Sequence, residues 1–342
     1  MTEFKTPTSQ KFRKKIVDNT NLQTPIKIPA SPFLQQIGYG CGVNVYMFER
    51  SPKVGFIRSP WAIKKRNRKA PKTDKTYSER IRIEADILKK LNHPNVVGFR
   101  AFMDAPNDDP CLAMEKLDAS LGNIIEEKFE NAEDPFAAYY ILKVGYEVAK
   151  GLEYLHNTAH ILHGDIKSYN ILVSKDFSTV KLCDFGVSLP LNDKLVLDDS
   201  NGEFCYIGTE CWNAPEIIFG DGEVTDKADI WSYGLVLWEM IALSAPRIET
   251  EDSMMEESFN TLNEKENQVY NISMNESFDD FPKEKFATRP PLPAIDLGPE
   301  YDTVLQTFFI CTESKYENRP SAKGLVKFFE EYVYKNKQTK PL

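Results

Sequence analysis

One short polar stretch limits what this chain can fold into more than any other feature. Residues 163–170 read His-Gly-Asp-Ile-Lys-Ser-Tyr-Asn and lie between two apolar runs, a pattern that predicts a loop joining two buried elements. Within such a loop, an Asp can accept the proton of a hydroxyl, a Lys can neutralise a phosphate and an Asn can hold a metal ion. Asp165, Lys167 and Asn170 are therefore candidates for phosphoryl transfer, although the stretch taken alone could equally be a solvated loop.

A second motif supplies another candidate metal ligand. Asp184-Phe185-Gly186 begins 14 residues after Asn170 and follows the apolar run 180–183. A carboxylate at the end of a strand can bridge a divalent cation to a bound phosphate, while the following Phe packs inward. Cys183 is interpreted as a small buried hydrophobe, because free cysteines are among the most buried residue types.

A glycine-rich turn lies near the start of the apolar part of the chain. Residues 37–45 read Ile-Gly-Tyr-Gly-Cys-Gly-Val-Asn-Val. Because glycines have no Cβ, the backbone of such a turn can approach phosphate groups closely and offer N–H donors. The flanking apolar residues predict a hairpin, with Ile37 and Val45 as candidates to cover an adenine ring. An ordinary hairpin turn has a similar pattern, so this stretch needs support from the other motifs.

Periodicity places further elements around these motifs. The apolar run 61–63 predicts a buried strand that leads to Lys64. Residues 77–91 predict a helix with Ile83, Ile87, Leu88 and Leu91 on its buried side, and Glu84 lies at the edge of that stripe. Residues 137–156 predict a long amphipathic helix that belongs to the core.

In this order and at these intervals, the motifs resemble those of eukaryotic protein kinases from about residue 33 to residue 334. The shared motifs also include His-Pro-Asn-Val-Val at 93–97, Ala-Pro-Glu at 214–216, a helix at 226–234 whose Asp229 supports the catalytic loop, and Arg319, which pairs with Glu216 in that family. The resemblance implies an α+β bilobal kinase fold. A small β-rich lobe is expected at 31–116 and a larger, mainly helical lobe at 117–336.

The resemblance also implies the cofactors and the site residues. ATP and Mg²⁺ would bind between the lobes, with Asp165 as the base, Lys167 neutralising phosphate charge, and Asn170 and Asp184 holding the metal. Lys64 would bind the α- and β-phosphates and pair with Glu84. Met114 would be the gatekeeper, and the backbone of Glu115 and Leu117 would bind adenine. The full set expected to contact ATP is Ile37, Gly38, Tyr39, Gly40, Cys41, Gly42, Val43, Asn44, Val45, Ala62, Lys64, Met114, Glu115, Leu117 and Leu172.

Two positions depart from the family pattern. The third glycine falls one place early, at Gly42, and Val43 takes its usual position. Gly164 stands where most protein kinases have an Arg that grips a phosphate on the activation segment, here residues 187–213. We therefore expect phosphate on that segment to matter less, unless Lys181 replaces the missing cation.

The function implied is phosphorylation of protein substrates. Lys167 and the Gly208-Thr209 pair favour Ser/Thr substrates, with Tyr left open. Within the family, the chain is similar to MAP kinase kinases, which implies MAP-kinase and mitotic signalling, with MAP kinases as candidate substrates. Two alternatives remain: a pseudokinase acting as a binding scaffold, and a small-molecule phosphotransferase with a kinase-like fold.

Regions outside the lobes suggest regulation. Residues 1–30 are predicted to be a disordered tail, and Thr6, Thr24 and Ser31 each precede a Pro, so a Pro-directed kinase such as a cyclin-dependent kinase could act there. Residues 249–284 form an insert with eleven acidic and two basic residues, which predicts a mobile loop that is either a solvated spacer or a docking segment for basic partners. The C-terminal tail, 337–342, has no Ser/Thr two places before its last residue, which argues against a PDZ-domain partner.

Composition excludes several other classes of protein. The net charge of −9 equals the charge of the insert, so the rest is near neutral, which argues against nucleic-acid binding. The six cysteines are scattered and form no CxxC pair, as expected for reduced thiols inside cells. The sequence has neither a signal peptide nor an apolar run long enough to span a membrane, so we expect a cytoplasmic or nuclear protein without a membrane partner.

Overall fold

The computed structural model describes residues 34–40, 42–49, 59–67, 75–104, 109–200, 202, 204–246 and 286–334. Several predicted features lie outside these residues. They are Cys41, the tail at 1–30 with Thr6 and Thr24, the candidate phosphosite Ser31, the acidic insert at 249–284 and the C-terminal tail at 337–342.

A five-stranded antiparallel sheet forms the first part of the fold. Its spatial order is β1-β2-β3-β5-β4, and its strands are β1 (Leu34–Gly40), β2 (Val43–Phe48), β3 (Trp61–Arg66), β4 (Phe99–Met103) and β5 (Cys111–Glu115). β3 lies in the middle of the sheet, which explains why Ala62, Ile63 and Lys64 are all buried. The sheet lies within the region predicted as the small lobe.

Helix α1 (Thr76–Leu88) packs against this sheet. The predicted buried stripe was wrong at Ile83, which is 41% exposed, whereas Ile81, Glu84 and Leu88 are fully buried. The reason lies in tertiary structure: the carboxylate of Glu84 turns inward to meet Lys64 of β3 at 2.8 Å. The helix is therefore rotated so that Glu84 lies at the centre of its buried face. The helix also ends at Leu88, three residues earlier than predicted.

The second part of the fold is mainly helical. Its helices are α2 (Leu121–Glu130), α3 (Ala138–Tyr154), α4 (Pro215–Phe219), α5 (Lys227–Ala242), α6 (Asp302–Cys311) and α7 (Ala322–Phe328). Helix α3 begins and ends close to the predicted bounds, and a π-helical turn, Leu155–Ala159, follows it. Helix α5 lies at the centre, because its residues from Ala228 to Ile241 are buried on every side. A helix that is apolar all round requires such a position.

Short strands lie on either side of the polar motifs in this helical part. They are β6 (Ala119–Ser120), β7 (Ile161–Leu162), β8 (Ile171–Val173), β9 (Val180–Leu182) and β10 (Leu189–Pro190). β6, β8 and β9 form one small sheet, and β7 pairs with β10. The loop at 163–170 therefore leaves β7 and enters β8, while Asp184 follows β9. This α+β bilobal architecture confirms the predicted fold. Among the described residues, no helix is both long and apolar enough to cross a membrane.

Candidate active site

A buried lysine joins the two motifs that carry carboxylates. The Lys64 ammonium lies 2.8 Å from a carboxylate oxygen of Glu84 on α1 and 2.8 Å from one of Asp184 after β9. The side chains of Lys64 and Glu84 are almost inaccessible, whereas that of Asp184 is 40% exposed. The ammonium therefore connects the sheet, helix α1 and the strand end of the helical lobe.

The charges of this cluster explain the shifted pKa values of its members. Burial alone lowers the pKa of Lys64, but the carboxylates of Asp184 and Glu84 outweigh it and hold that pKa above its ordinary value. Burial raises the pKa of Glu84 to about 7, against the opposing effect of Lys64. Partial burial would also raise the pKa of Asp184, but the Lys64 ammonium lowers it to about 2. Lys64 is therefore a fixed positive charge, and Asp184 is a fixed negative charge at the open side of the cluster.

The backbone around Asp184 holds this side chain in place. Asp184 has a φ of +67°, which non-glycine residues rarely adopt. The next residue, Phe185, is fully buried, and its ring centroid lies 5.0 Å from that of His163. The ring of His163 in turn bonds the backbone carbonyl of Cys183 at 3.0 Å. The left-handed turn therefore points Asp184 and Phe185 in opposite directions, the first toward Lys64 and the second into the core.

The loop at 163–170 brings its three polar residues together. The amide of Asn170 donates to the Asp165 carboxylate at 2.9 Å and to its backbone carbonyl at 2.8 Å. The Lys167 ammonium lies 3.2 Å from the same oxygen of Asp165, Oδ2, and donates to the Thr209 hydroxyl at 2.7 Å. Thr209 donates to Asp165 Oδ1 at 2.5 Å. The carboxylate of Asp165 is thus held by three donors, one of which is a hydroxyl.

Helix α5 fixes the backbone of this loop. The Asp229 carboxylate accepts hydrogen bonds from the backbone N–H groups of His163 and Gly164, at 2.8 and 2.9 Å. His156 bonds the same carboxylate at 2.8 Å. Burial raises the pKa of Asp229, but these donors outweigh that effect and hold the pKa below its usual value. A buried carboxylate with this many donors stays ionised and orients the loop rigidly.

Gly164 lies close to the start of the activation segment. It has a φ of +78°, and a Cβ built on it would lie 3.1 Å from the carbonyl oxygen of Val187. The hydroxyl of Ser188 donates to the carbonyl of His163 at 2.9 Å. The alternative in which Lys181 replaces the missing Arg was wrong, because the Lys181 ammonium pairs with Glu115 at 3.1 Å, at the end of β5. The segment is therefore joined to the loop by backbone and hydroxyl contacts.

The end of the activation segment is anchored by another ion pair. Arg319 forms a bidentate pair with Glu216, at 2.6 and 2.8 Å, and both side chains are buried. The guanidinium also donates to the backbone carbonyls of Glu313 and Lys227 and lies 4.9 Å from the ring of Trp231. The resemblance implied this pairing, and the structure brings the two residues together.

Several of the residues expected to contact ATP are cross-strand neighbours in the five-stranded sheet. Val45 on β2 pairs with Lys64 on β3, and Ala62 pairs with Met114 on β5. Met114 is 7% exposed and Leu172, on β8, is partly buried against the core. Glu115 accepts a hydrogen bond from the N–H of Gly98 at 3.1 Å through its side chain. These pairings place Val45, Ala62 and Met114 on neighbouring strands, and their contact with ATP stays a prediction.

Sequence reasoning missed a buried carboxylate beneath the loop. Glu239 on α5 accepts hydrogen bonds from the hydroxyl of Ser168 at 2.6 Å and from the indole N–H of Trp212 at 2.9 Å. Burial raises the pKa of Glu239 to about 7, even though both donors act to lower it. The signal was present in the sequence, because a Glu inside a helix that is otherwise apolar all round needs buried donors.

Asn170 and Asp184 fit the ligands of a Mg²⁺ ion that is shared with phosphate. Their oxygens are hard donors of the kind that Mg²⁺ prefers, and such an ion takes only one or two protein ligands when it also binds substrate phosphates. The described part of the chain holds no group of three or more His, Cys, Asp or Glu side chains that could hold a metal ion.

The chain belongs to the protein kinase family. The model of the protein kinase domain matches residues 33–328, which is most of the chain. Among curated relatives, the chain is 43% identical over 333 residues to the human lymphokine-activated killer T-cell-originated protein kinase, covering 96% of this chain and 98% of that protein. The match confirms the predicted resemblance to eukaryotic protein kinases.

Other relatives align over a shorter region. The serine/threonine-protein kinase CTR1 of Arabidopsis thaliana is 37% identical over 48% of this chain and 19% of its own length. The mitogen-activated protein kinase kinase kinase zak-1 of Caenorhabditis elegans is 31% identical over 48% of this chain and 22% of its own length. Protein kinases use ATP and a divalent metal, so the family match supports the cofactors inferred from the site.

Proposed function

We propose that this protein kinase is a catalytically active Ser/Thr kinase that uses ATP with Mg²⁺. The observation that carries the proposal is the complete polar cluster: Lys64 bonded to Glu84 and Asp184 on one side of the cleft, and Asp165 bonded to Asn170 and Lys167 on the other. A scaffold that only binds partners has no need to keep every one of these side chains in bonding geometry.

Each residue has a proposed role in the transfer. Asp165 accepts the proton of the substrate hydroxyl, since its carboxylate is placed to accept a hydrogen bond from a hydroxyl, as it does from that of Thr209. Lys167 neutralises the γ-phosphate, and Lys64, whose positive charge is fixed by two carboxylates, neutralises the α- and β-phosphates. Asn170 and Asp184 would hold Mg²⁺, which screens phosphate charge when bound. Positioning and charge stabilisation then supply most of the rate.

The nucleotide is proposed to lie between the sheet and the loop. Residues 37–45 would cover the phosphates, while Ala62, Met114 and Leu172 would border the adenine ring. The backbone of Glu115 and Leu117 would bind the edge of the base. Lys167 and Thr209, whose side chains are hydrogen-bonded at 2.7 Å, support a preference for Ser and Thr, because both resemble the residues that Ser/Thr kinases carry at these places.

The cellular role is proposed from the relatives. Similar kinases include a mitogen-activated protein kinase kinase kinase of Caenorhabditis elegans and the cell division control protein 7 of Schizosaccharomyces pombe. They support a place in MAP-kinase and mitotic signalling, in the cytoplasm or nucleus, with MAP kinases as candidate substrates. Thr6, Thr24 and Ser31 remain candidate sites for an upstream Pro-directed kinase.

A transfer assay tests the proposal. The purified chain is incubated with labelled ATP, Mg²⁺ and a generic protein substrate, and the phosphorylated residue type is determined by acid hydrolysis. We expect phosphoserine and phosphothreonine, and a loss of about 10²–10⁴-fold in the Asp165→Asn variant, which keeps the size of the side chain but cannot accept the proton. Absence of transfer by the wild-type chain, with ATP still bound, would instead support a scaffold.

A further inference from the structure

The glycine that departs from the kinase spacing lies against an aromatic side chain of helix α1. Gly42 has a φ of +68°, and a Cβ built on it would overlap the ring of Tyr77. Its carbonyl accepts a hydrogen bond from the N–H of Asn67 at 2.7 Å, just after β3. Only glycine satisfies both the left-handed backbone and the close approach of the ring. The ring of Tyr77 therefore fills the space that a side chain at the early third glycine would need.

Tyr77 shares a helix face with the residue that pairs with Lys64. Tyr77 and Glu84 are seven residues apart, which is nearly two full turns, so both side chains leave α1 on the same side about 10 Å apart. Glu84 contacts β3, and Tyr77 contacts the turn between β1 and β2. A movement of α1 that separates Glu84 from Lys64 would therefore also change the contact between the Tyr77 ring and the turn.

A neighbouring arginine connects the same face to the Asp-Phe-Gly motif. The guanidinium carbon of Arg80 lies 5.9 Å from the centroid of the Tyr77 ring, within the range of a cation–π contact. A Cβ built on Gly186 would lie 3.4 Å from Arg80 Cβ, so the backbone of the motif runs close beside this residue. The first two turns of α1 therefore contact both the glycine-rich turn and the motif that carries Asp184.

We propose that Tyr77 is a positioning residue that fixes the tip of the glycine-rich turn and couples it to helix α1. The ring supports the turn from the helix side, at the position where the usual glycine spacing is lost. ATP binding then favours the arrangement in which Glu84 meets Lys64, because the same helix supports both contacts. The inference rests on the proposed role of residues 37–45 in covering the phosphates of ATP.

Steady-state kinetics and direct binding test this role. We expect Tyr77→Ala to raise the KM for ATP by roughly three- to tenfold, the size typical of coupling between residues in contact, and to change kcat by less than about twofold. Tyr77→Phe keeps the ring and should restore the wild-type KM. Binding of a fluorescent ATP analogue should weaken by the same factor. An unchanged KM in an active Tyr77→Ala enzyme would overturn the inference, whereas a wild-type chain that binds no ATP would overturn the proposed function.

A double-mutant cycle separates contact from backbone strain. Gly42→Ala alone adds a methyl group that meets the ring, so the KM for ATP should rise more in the wild-type background than in the Tyr77→Ala background. Gly220→Ala is the matched control, because Gly220 has nearly the same φ, +66°, with no atom within 4 Å of a built Cβ. It should lower the melting temperature slightly and leave the KM unchanged. Strictly additive effects of Gly42→Ala and Tyr77→Ala would show that the two residues are not coupled.

Discussion

Two buried ion clusters have similar distances between their charged nitrogen and oxygen atoms but differ in how far their side chains are shielded from solvent. Arg319 and Glu216 bond at 2.6 and 2.8 Å, and their side chains are 0% and 4% exposed. Lys64 bonds to Glu84 and Asp184 at 2.8 Å each, but the Asp184 side chain is 40% exposed. The first cluster is closed, since backbone carbonyls use the remaining donors of the guanidinium. The second is open on the side that faces the cleft.

The difference shows why bond length alone does not reveal what an ion pair is for. A planar guanidinium with five donors can be satisfied permanently, and removing it leaves a buried charge. An ammonium is a compact charge that can exchange one anionic partner for another. The closed cluster therefore suits the anchoring of the activation segment, and the open cluster suits an arrangement that nucleotide phosphates enter.

The largest effect is expected on activity at the open cluster. Lys64→Met should reduce kcat/KM by about 10²–10³-fold, because it removes a positive charge aimed at the phosphates. Its melting temperature should change little, since Glu84, whose pKa is about 7, can take up a proton and Asp184 can turn to solvent. Lys65→Met, at the next position on β3, is the matched control and should retain activity. A loss of stability as large as that expected of Arg319→Met would remove the distinction between the two clusters.

The closed cluster should show the opposite pattern. Arg319→Met leaves Glu216 buried without its partner, so the free energy of unfolding should fall by about 3–5 kcal/mol. Urea denaturation measures this change. Activity per folded molecule should stay close to the wild-type value, because effects at distant sites are largely independent. Lys327→Met is the control, because the pair of Lys327 with Glu331 is 3.9 Å long and exposed. Stability that survives Arg319→Met would show that the pair is dispensable.

Phosphate on the activation segment between these clusters should have a smaller effect. Gly164 has no side chain to bind a phosphate, and Tyr206 of the segment is half-buried and packs against two apolar clusters. Treatment with a broad phosphatase should therefore reduce turnover by less than about twofold in a variant with Thr6, Thr24 and Ser31 changed to Ala. Loss of nearly all activity, restored by rephosphorylation of residues 187–213, would show that an activation-loop switch operates without the Arg.

The smallest effect concerns a carboxylate held by neutral donors. The pKa of Glu239 is raised from its usual value near 4.5 to about 7. The folded state therefore binds an extra proton between these values, and its stabilising effect is present below pH 4.5 and lost as the pH rises through 7. Glu239→Gln cannot titrate, so the melting temperature should depend less steeply on pH between 5 and 8. Glu331→Gln, at a half-exposed position, should keep the wild-type slope.

Motifs whose chemistry is local in sequence could be predicted, and residues defined by tertiary packing could not. The motifs carried the resemblance that implied the fold class, and the loop at 163–170 brings Asp165, Lys167 and Asn170 together as predicted. Ile83 was misplaced because the buried pairing of Glu84 outweighs the apolar periodicity of α1. The sequence left open a role for Lys181 beside the activation segment, because its pairing with Glu115 across β9 and β5 cannot be read from periodicity.

The sequence indicates the contacts of two further residues only weakly. Tyr77 begins an ordinary helical pattern, and nothing local indicates that its ring meets Gly42, which lies 35 positions earlier. Glu239 could have been suspected from its apolar neighbours, but its donors come from the catalytic loop and from the activation segment. Such contacts depend on how separate elements are placed in space, and a single sequence does not contain that placement.

The thiol beside the Asp-Phe-Gly motif has a consequence for inhibitor chemistry. Cys183 precedes Asp184, and burial, followed by the nearby carboxylate of Asp184, raises its pKa far above the usual value for a cysteine. The nucleophile in cysteine alkylation is the thiolate, which is scarcely populated under these conditions. Alkylation of Cys183 by an electrophilic ligand should therefore be slow, and much of such a ligand's affinity would have to come from reversible contacts with the neighbouring side chains.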